Sequence, residues 1–111
     1  MSDFPKRGDI YWVDLDPTVG SEIQKTRPAL VISNDAGNEL SSRLIVAPIT
    51  SSAAKNYPFQ VVIELNGKPR KILLDQIRTI DKLRLKNKIT TVSRSTMTLV
   101  EKAIKVSLAL S

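Results

Sequence analysis

Neither cysteine nor histidine occurs among the 111 residues. The first absence excludes a disulfide framework, a thiolate nucleophile and any cysteine-based zinc site, so nothing in the sequence argues for an oxidising compartment. The second removes the side chain most used for acid–base chemistry near neutral pH and the commonest metal ligand. Any catalysis must therefore use other groups. Aromatic residues make up only 5% of the chain, and its four glycines fall in no phosphate-loop or dinucleotide-binding pattern. Carboxylates such as Asp9, Asp14, Asp16, Glu22, Asp35, Asp75 and Asp81 are scattered singly, at no spacing that reads as a metal motif. No metal and no cofactor is expected. No apolar run approaches the roughly 18 residues needed to span a bilayer, and the opening MSDFPKRGD lacks a signal-peptide core. A soluble, cytoplasmic protein without membrane association is the expectation.

What is present is ordinary globular usage, with 41% hydrophobic and 25% charged residues, enough for one domain spanning residues 1–111. Seventeen Lys and Arg against eleven Asp and Glu give a net charge of +6, which favours a polyanionic partner, either nucleic acid or an acidic protein segment.

In chain order, Ile10-Tyr11-Trp12-Val13 reads as a first strand ended by turn residues at Asp14-Leu15-Asp16-Pro17. Its two aromatics point to opposite faces, and each has a core-packing and a base-stacking reading. Thr18 to Thr26 is a long polar loop, and Ala29 to Ile32 is a β-branched apolar run too short for a helix. A turn and short helical piece follow to Ser42, then the strand Arg43 to Ile49, with Pro48 suggesting a bulge or an edge position. Ala53 to Pro58 is a loop, and Phe59 to Leu65 is a strand. It turns at Asn66-Gly67-Lys68-Pro69 to pair with Lys71 to Leu74. Asp75 to Asp81 continues as a strand, followed by a helical turn at Lys82 to Leu85 and a small strand at Ile89 to Val92. From Ser95, taken as N-cap, Met97, Val100, Ile104 and Leu108, flanked by Leu99, Ala103, Val106 and Leu110, make one broad helical stripe. The pattern predicts a mainly β fold, a strongly bent sheet or small barrel, with a C-terminal α-helix packed on it.

Arg27 stands where loop becomes strand, and Pro28 after it restricts its backbone to extended conformations. Arg27 is either an anion-binding group or a surface arginine covering a sheet edge. Antiparallel pairing of Leu30–Ile32 with Leu44–Ile49 would bring Arg27 and Thr50 to the same sheet end. There a guanidinium fork and a hydroxyl could hold a phosphodiester.

The stretches GDIYWVDLDPTVGSEIQKTRPALVISND, IVAPITSS and LLDQIRTIDKLRL resemble, in order and spacing, the MazF/PemK family of toxin endoribonucleases. The resemblance covers nearly the whole chain. It implies a small SH3-like barrel of the MazF/PemK/CcdB type, assembled as a homodimer. The implied activity is cleavage of single-stranded RNA without metal, by attack of the 2′-hydroxyl to leave a 2′,3′-cyclic phosphate and a 5′-hydroxyl, and a cognate antitoxin protein is the implied partner. The family's catalytic arginine and threonine fall on Arg27 and Thr50. RNA-binding candidates are Glu22, Gln24, Lys25, Ser51, Gln76 and Arg78, with Lys55 as a further phosphate contact and base selection expected from the loops at 18–26 and 51–58. Two other readings stand beside this one, a DNA gyrase poison or other protein-binding toxin on the same fold, and a non-catalytic RNA-binding barrel.

Overall fold

The computed structural model describes residues 3–15, 26–51 and 55–111. Among them are seven strands, β1 (Asp9–Asp14), β2 (Thr26–Val31), β3 (Arg43–Thr50), β4 (Gln60–Leu65), β5 (Lys68–Leu73), β6 (Arg78–Asp81) and β7 (Leu85–Thr91). Helix α1 (Asp35–Leu40) follows β2, a single 3-10 turn (Lys82–Arg84) joins β6 to β7, and helix α2 (Arg94–Ser107) closes the fold. The strands form one curled antiparallel sheet in the order β4-β5-β3-β2-β1-β7, with β6 also paired to β3. Among the described residues, no helix is long and apolar enough to cross a membrane.

Alternation along the strands gives the sheet a core on each face. Ile10, Leu30, Ala47, Ile49 and Ile72 pack with Val100 and Ala103 of α2. Val13, Ala29, Val31, Leu44, Val46 and Ile80 form the second cluster on the opposite face. Gly8 holds the first strand in place from a left-handed conformation (φ 98°) that favours glycine. Its N–H donates to the Val31 carbonyl at 2.8 Å, and its own carbonyl accepts from Val92 N–H at 2.9 Å. Asp9 beside it is buried, and its carboxylate accepts from Lys6 N–H at 2.9 Å and from the Thr91 hydroxyl at 2.7 Å.

Five expectations need correction. Pro48 is not at an edge: β3 is central, paired to β2, β5 and β6. Proline is tolerated there because β3 changes neighbour at that point, from β6 (through Val46) to β5 (from Ile49), so its missing N–H falls between two ladders. The hairpin turn is two residues long, since Leu65 pairs with Lys68; Asn66 (φ 54°) and Gly67 (φ 77°) supply the two left-handed positions that a tight turn of this hand demands. Asp75 to Ile77 are not strand: Gln76 N–H turns back to the Leu73 carbonyl at 3.2 Å, and only Arg78–Asp81 pairs, with the start of β3. The last strand begins at Leu85 rather than Ile89, because β1 offers partners along that length, Leu85 pairing with Val13 and Thr91 with Asp9. Finally, α2 starts two residues early, capped by Ser93, whose hydroxyl accepts from Thr96 N–H at 3.1 Å. Only part of the helix's apolar stripe is used internally: Val100 and Ala103 are buried, while Leu99, Val106, Leu108 and Leu110 remain about half exposed.

Candidate functional site

β2 enters the sheet at Thr26, so Arg27 is its second residue and the fixed φ of Pro28 follows at once. Across β1, Arg27 pairs with Val13 and Pro28 with Trp12. Across β3 the antiparallel register sets Ala29 opposite Pro48; carried two residues further, it sets Arg27 opposite Thr50. Thr50 in turn pairs with Lys71 of β5. Residues directly opposite in an antiparallel sheet share a face with Cα atoms about 4.5–5.5 Å apart. Arg27, Thr50 and Lys71 therefore form a transverse row at one end of the sheet, with a cation on each side of the hydroxyl. Lys71 is buried and donates from Nζ to the Lys55 carbonyl at 2.7 Å, tying down the chain that follows Thr50 and Ser51. Among the described residues Arg27 makes no ion pair.

Beside this row lies a cleft of about 210 Å³ bordered by Trp12, Arg27, Ser51, Asn66 and Arg70, with Pro28 among its apolar walls. Among the described residues, none of those lining it carries a carboxylate. Two guanidiniums bordering one cleft, with no described carboxylate among its lining, suit an anion. Trp12 is 38% exposed, which favours the stacking reading over the core reading for this ring. Tyr11 packs instead against the second cluster, where burial and then the charges of Asp9 and Asp3 raise its phenol above the ordinary value.

The predicted site residues thus divide. Arg27 and Ser51 border the cleft, and Thr50 lies in the row next to it. Gln76 is exposed in the turn after β5, and Arg78 stands apart from both. Arg78 pairs with Val46, four residues along β3 from Thr50, or roughly 13 Å at the usual strand rise. Its guanidinium donates to the Leu15 carbonyl at 3.0 Å, and that of Arg84 donates to the Asp14 carbonyl at 3.2 Å, so both hold the end of β1. Lys55 is exposed and enters the site through its backbone carbonyl. Glu22, Gln24 and Lys25 lie outside the described residues. Among the described residues no group of three or more Asp or Glu converges as a metal site. Sequence reasoning missed Asn66, Arg70 and Lys71. The signal was the Asn66-Gly67 pair: a two-residue turn starts β5 at Lys68 and fixes Arg70 opposite Ile63 and Lys71 opposite Val62.

A small curled β-sheet whose strand ends present a cleft bordered by two arginines is the class of domain that the described residues define. Comparison with known proteins narrows the class. The sequence profile of the PemK-like, MazF-like toxins of type II toxin–antitoxin systems matches residues 6–108. The chain is 48% identical over 110 residues to endoribonuclease EndoA of Bacillus subtilis (strain 168), covering 95% of each protein. It is 46% identical over 111 residues to endoribonuclease MazF of Staphylococcus epidermidis, covering 96% of this chain and 92% of that one. The fold superposes with a TM-score of 0.81 on an endoribonuclease from Mycobacterial species solved in complex with its cognate antitoxin, at 25% identity over 96% of this chain and 97% of that one. The chain belongs to the PemK-like, MazF-like toxin family of type II toxin–antitoxin systems.

Proposed function

We propose that the protein is a sequence-selective, metal-independent endoribonuclease that cuts single-stranded RNA, mRNA above all, in the cytoplasm, and that a cognate antitoxin neutralises it. The observation that carries this reading is the row Arg27–Thr50 beside a cleft that Arg27, Ser51 and Arg70 border and to which no described carboxylate contributes. It is supported by relatives at 48% and 46% identity that are named as endoribonucleases.

RNA carries its own nucleophile, which is how a chain without histidine performs the reaction. The 2′-hydroxyl oxygen bonds to phosphorus as the P–O5′ bond breaks, giving a 2′,3′-cyclic phosphate and a 5′-hydroxyl. The 2′ proton is lost and the 5′ oxygen gains one, so no water is consumed. The protein's work is to align the three reacting atoms and to stabilise the charge that grows on the non-bridging oxygens. Arg27 is the electrostatic clamp, offering a planar fork to two phosphate oxygens. Thr50 donates a hydrogen bond to the same group, and Ser51 orients the next part of the strand. A guanidinium stays protonated, so Arg27 serves through its charge rather than as a base.

The homodimer belongs to the same proposal. It is supported by the apolar side chains of α2 that one chain leaves half exposed, Leu99, Val106, Leu108 and Leu110. The antitoxin is proposed to dock an acidic segment over the cationic cleft, in keeping with the net charge of +6.

Incubating purified protein with long RNA in EDTA tests the activity. Cleavage that fails in folded Arg27→Ala and Thr50→Ala variants is the expected result. Intact RNA with the wild-type protein overturns it, and growth arrest with intact RNA and inhibited gyrase would establish the gyrase-poison reading in its place.

A further inference from the structure

The far wall of the cleft comes from the β4–β5 hairpin. Asn66 is the first residue of the two-residue turn, held at φ 54°, and Arg70 lies on β5 four residues further along. Strand alternation puts Arg70 on the face of Ile72, the face of the first core cluster, and Lys71 on the opposite face with Thr50. Trp12 and Pro28 pair with each other and border the same cleft as Arg70, while Ser51 directly follows Thr50. Arg27 is the shared boundary: it stands in the transverse row and also borders the cleft. A nucleotide in the cleft would therefore be the immediate neighbour of a phosphate held at Arg27 and Thr50.

The cleft's contents suit one unpaired nucleotide. A volume of about 210 Å³ suits a single base better than a stretch of strand. The half-exposed indole of Trp12 offers a stacking surface, and the Asn66 carboxamide offers donors and an acceptor to a base edge. Arg70 spends one N–H on the Pro69 carbonyl at 3.3 Å, a long and weak bond, which leaves most of its five donors for a phosphate. We infer that this hairpin builds a nucleotide subsite next to the scissile phosphate, in which Asn66 reads one base and Arg70 holds the adjoining phosphate. The inference rests on the RNA-cleaving reading above and assigns base selection to the hairpin, in addition to the loops at 18–26 and 51–58.

Binding of short oligonucleotides with 2′-deoxy substitution at the cut site tests the subsite without requiring cleavage. Four such probes differ only in the base beside the scissile phosphate, and the site of cleavage in long RNA is mapped in parallel. Asn66→Gly keeps the left-handed turn and removes the amide; it is expected to reduce discrimination among the four probes about tenfold, within the range that one edge-reading pair supplies. Asn66→Asp keeps the shape but exchanges donors for acceptors, and is expected to change which probe binds best. Arg70→Gln is expected to weaken all four probes by a similar factor, and to lower the slope of log K against log salt by about 0.7, the loss of one phosphate contact on a single strand. Unchanged discrimination in folded Asn66→Gly and Asn66→Asp, with an unchanged salt slope in folded Arg70→Gln, overturns the subsite. Intact long RNA with the wild-type protein overturns the nuclease reading instead, and the binding data then decide the subsite alone.

Discussion

Replacing Arg27 separates chemistry from folding more cleanly than any other change in this molecule. The residue is exposed, lies at the second position of β2, and makes no ion pair among the described residues. Arg27→Ala therefore removes little from the folded state, and a thermal midpoint within a few degrees of wild type is expected. Its effect on the reaction is different in kind. In the proposed reaction, as the 2′ oxygen bonds to phosphorus, the phosphoryl group gains about one unit of negative charge. A guanidinium about 4 Å away then gains about 4 kcal/mol at an effective dielectric of about 20. Part of that survives as water filling the vacated space, so a loss of about 10²–10³ in the cleavage rate is expected, the scale measured when one preorganised oxyanion donor is removed. Arg27→Lys keeps the charge and loses the two-toothed geometry, so it should fall between, at about a tenfold loss.

The assay is single-turnover cleavage of an RNA oligonucleotide in EDTA, saturating in protein so that the rate reports the chemical step, with circular dichroism melts on each variant. Ordered rates, wild type above Arg27→Lys above Arg27→Ala, with superimposable melts, are the predicted pattern. Arg27→Ala cleaving within tenfold of wild type would refute the clamp, since no residue contributing 3 kcal/mol to the transition state can be removed so cheaply.

Three further outcomes follow from contacts away from the reaction. Asp9→Ala strips a buried carboxylate that accepts from Lys6 N–H and Thr91 and lies 3.4 Å from Lys88 Nζ, so it should cost about 3 kcal/mol and lower Tm by roughly 10 °C in a melt. The Tyr11 phenol is raised by burial first and then by Asp9 and Asp3, so the unfolded chain ionises before the folded one. Stability is complete below the ordinary value of 10.0 and is lost as pH rises through the folded value; tyrosinate absorbance in a Tyr57→Phe background should show the late ionisation, and urea midpoints should fall above that pH. Lys71→Met removes the 2.7 Å bond to the Lys55 carbonyl, and amide hydrogen exchange at residues 55–57 should accelerate about tenfold while the protection of β2 is retained.

The elements most legible in the sequence were those whose local signal and tertiary fate coincide. RLIVAPI is apolar and β-branched because β3 is central, with residues buried on both faces of the sheet. The pairing that brings Arg27 toward Thr50 followed from two core runs in succession, and the antiparallel β2–β3 register agrees with it. Illegible features were those decided by a distant partner. DQIRTID has an ambiguous period, and only the start of β3 determines that its last four residues pair. Ser95 reads as the cap from the apolar stripe alone; Thr96 N–H instead meets Ser93, two residues earlier. Arg70 looked like one basic residue among seventeen until the turn length was known, because a hairpin register shifts every side chain to the other face with a slip of one residue.

That same one-residue alternation separates the two tasks of the site. Thr50 and Lys71 sit on one face of the sheet end, and their chain neighbours Ser51 and Arg70 border the cleft. A strand cannot bring consecutive side chains to one face, so on the proposed reading Thr50 and Lys71 face the phosphate while Ser51, just past β3, and Arg70 of β5 face the neighbouring nucleotide. Arg27 joins the two because it lies at the strand's entrance, opposite Thr50 by register and on the rim of the cleft. Changes at Asn66 and Arg70 should therefore alter which RNA is cut more than how fast its bond breaks, whereas changes at Arg27 should do both. If the hairpin reads a base as proposed, exchanges at its tip should change base preference without disturbing the β2–β3 register that sets Arg27 opposite Thr50.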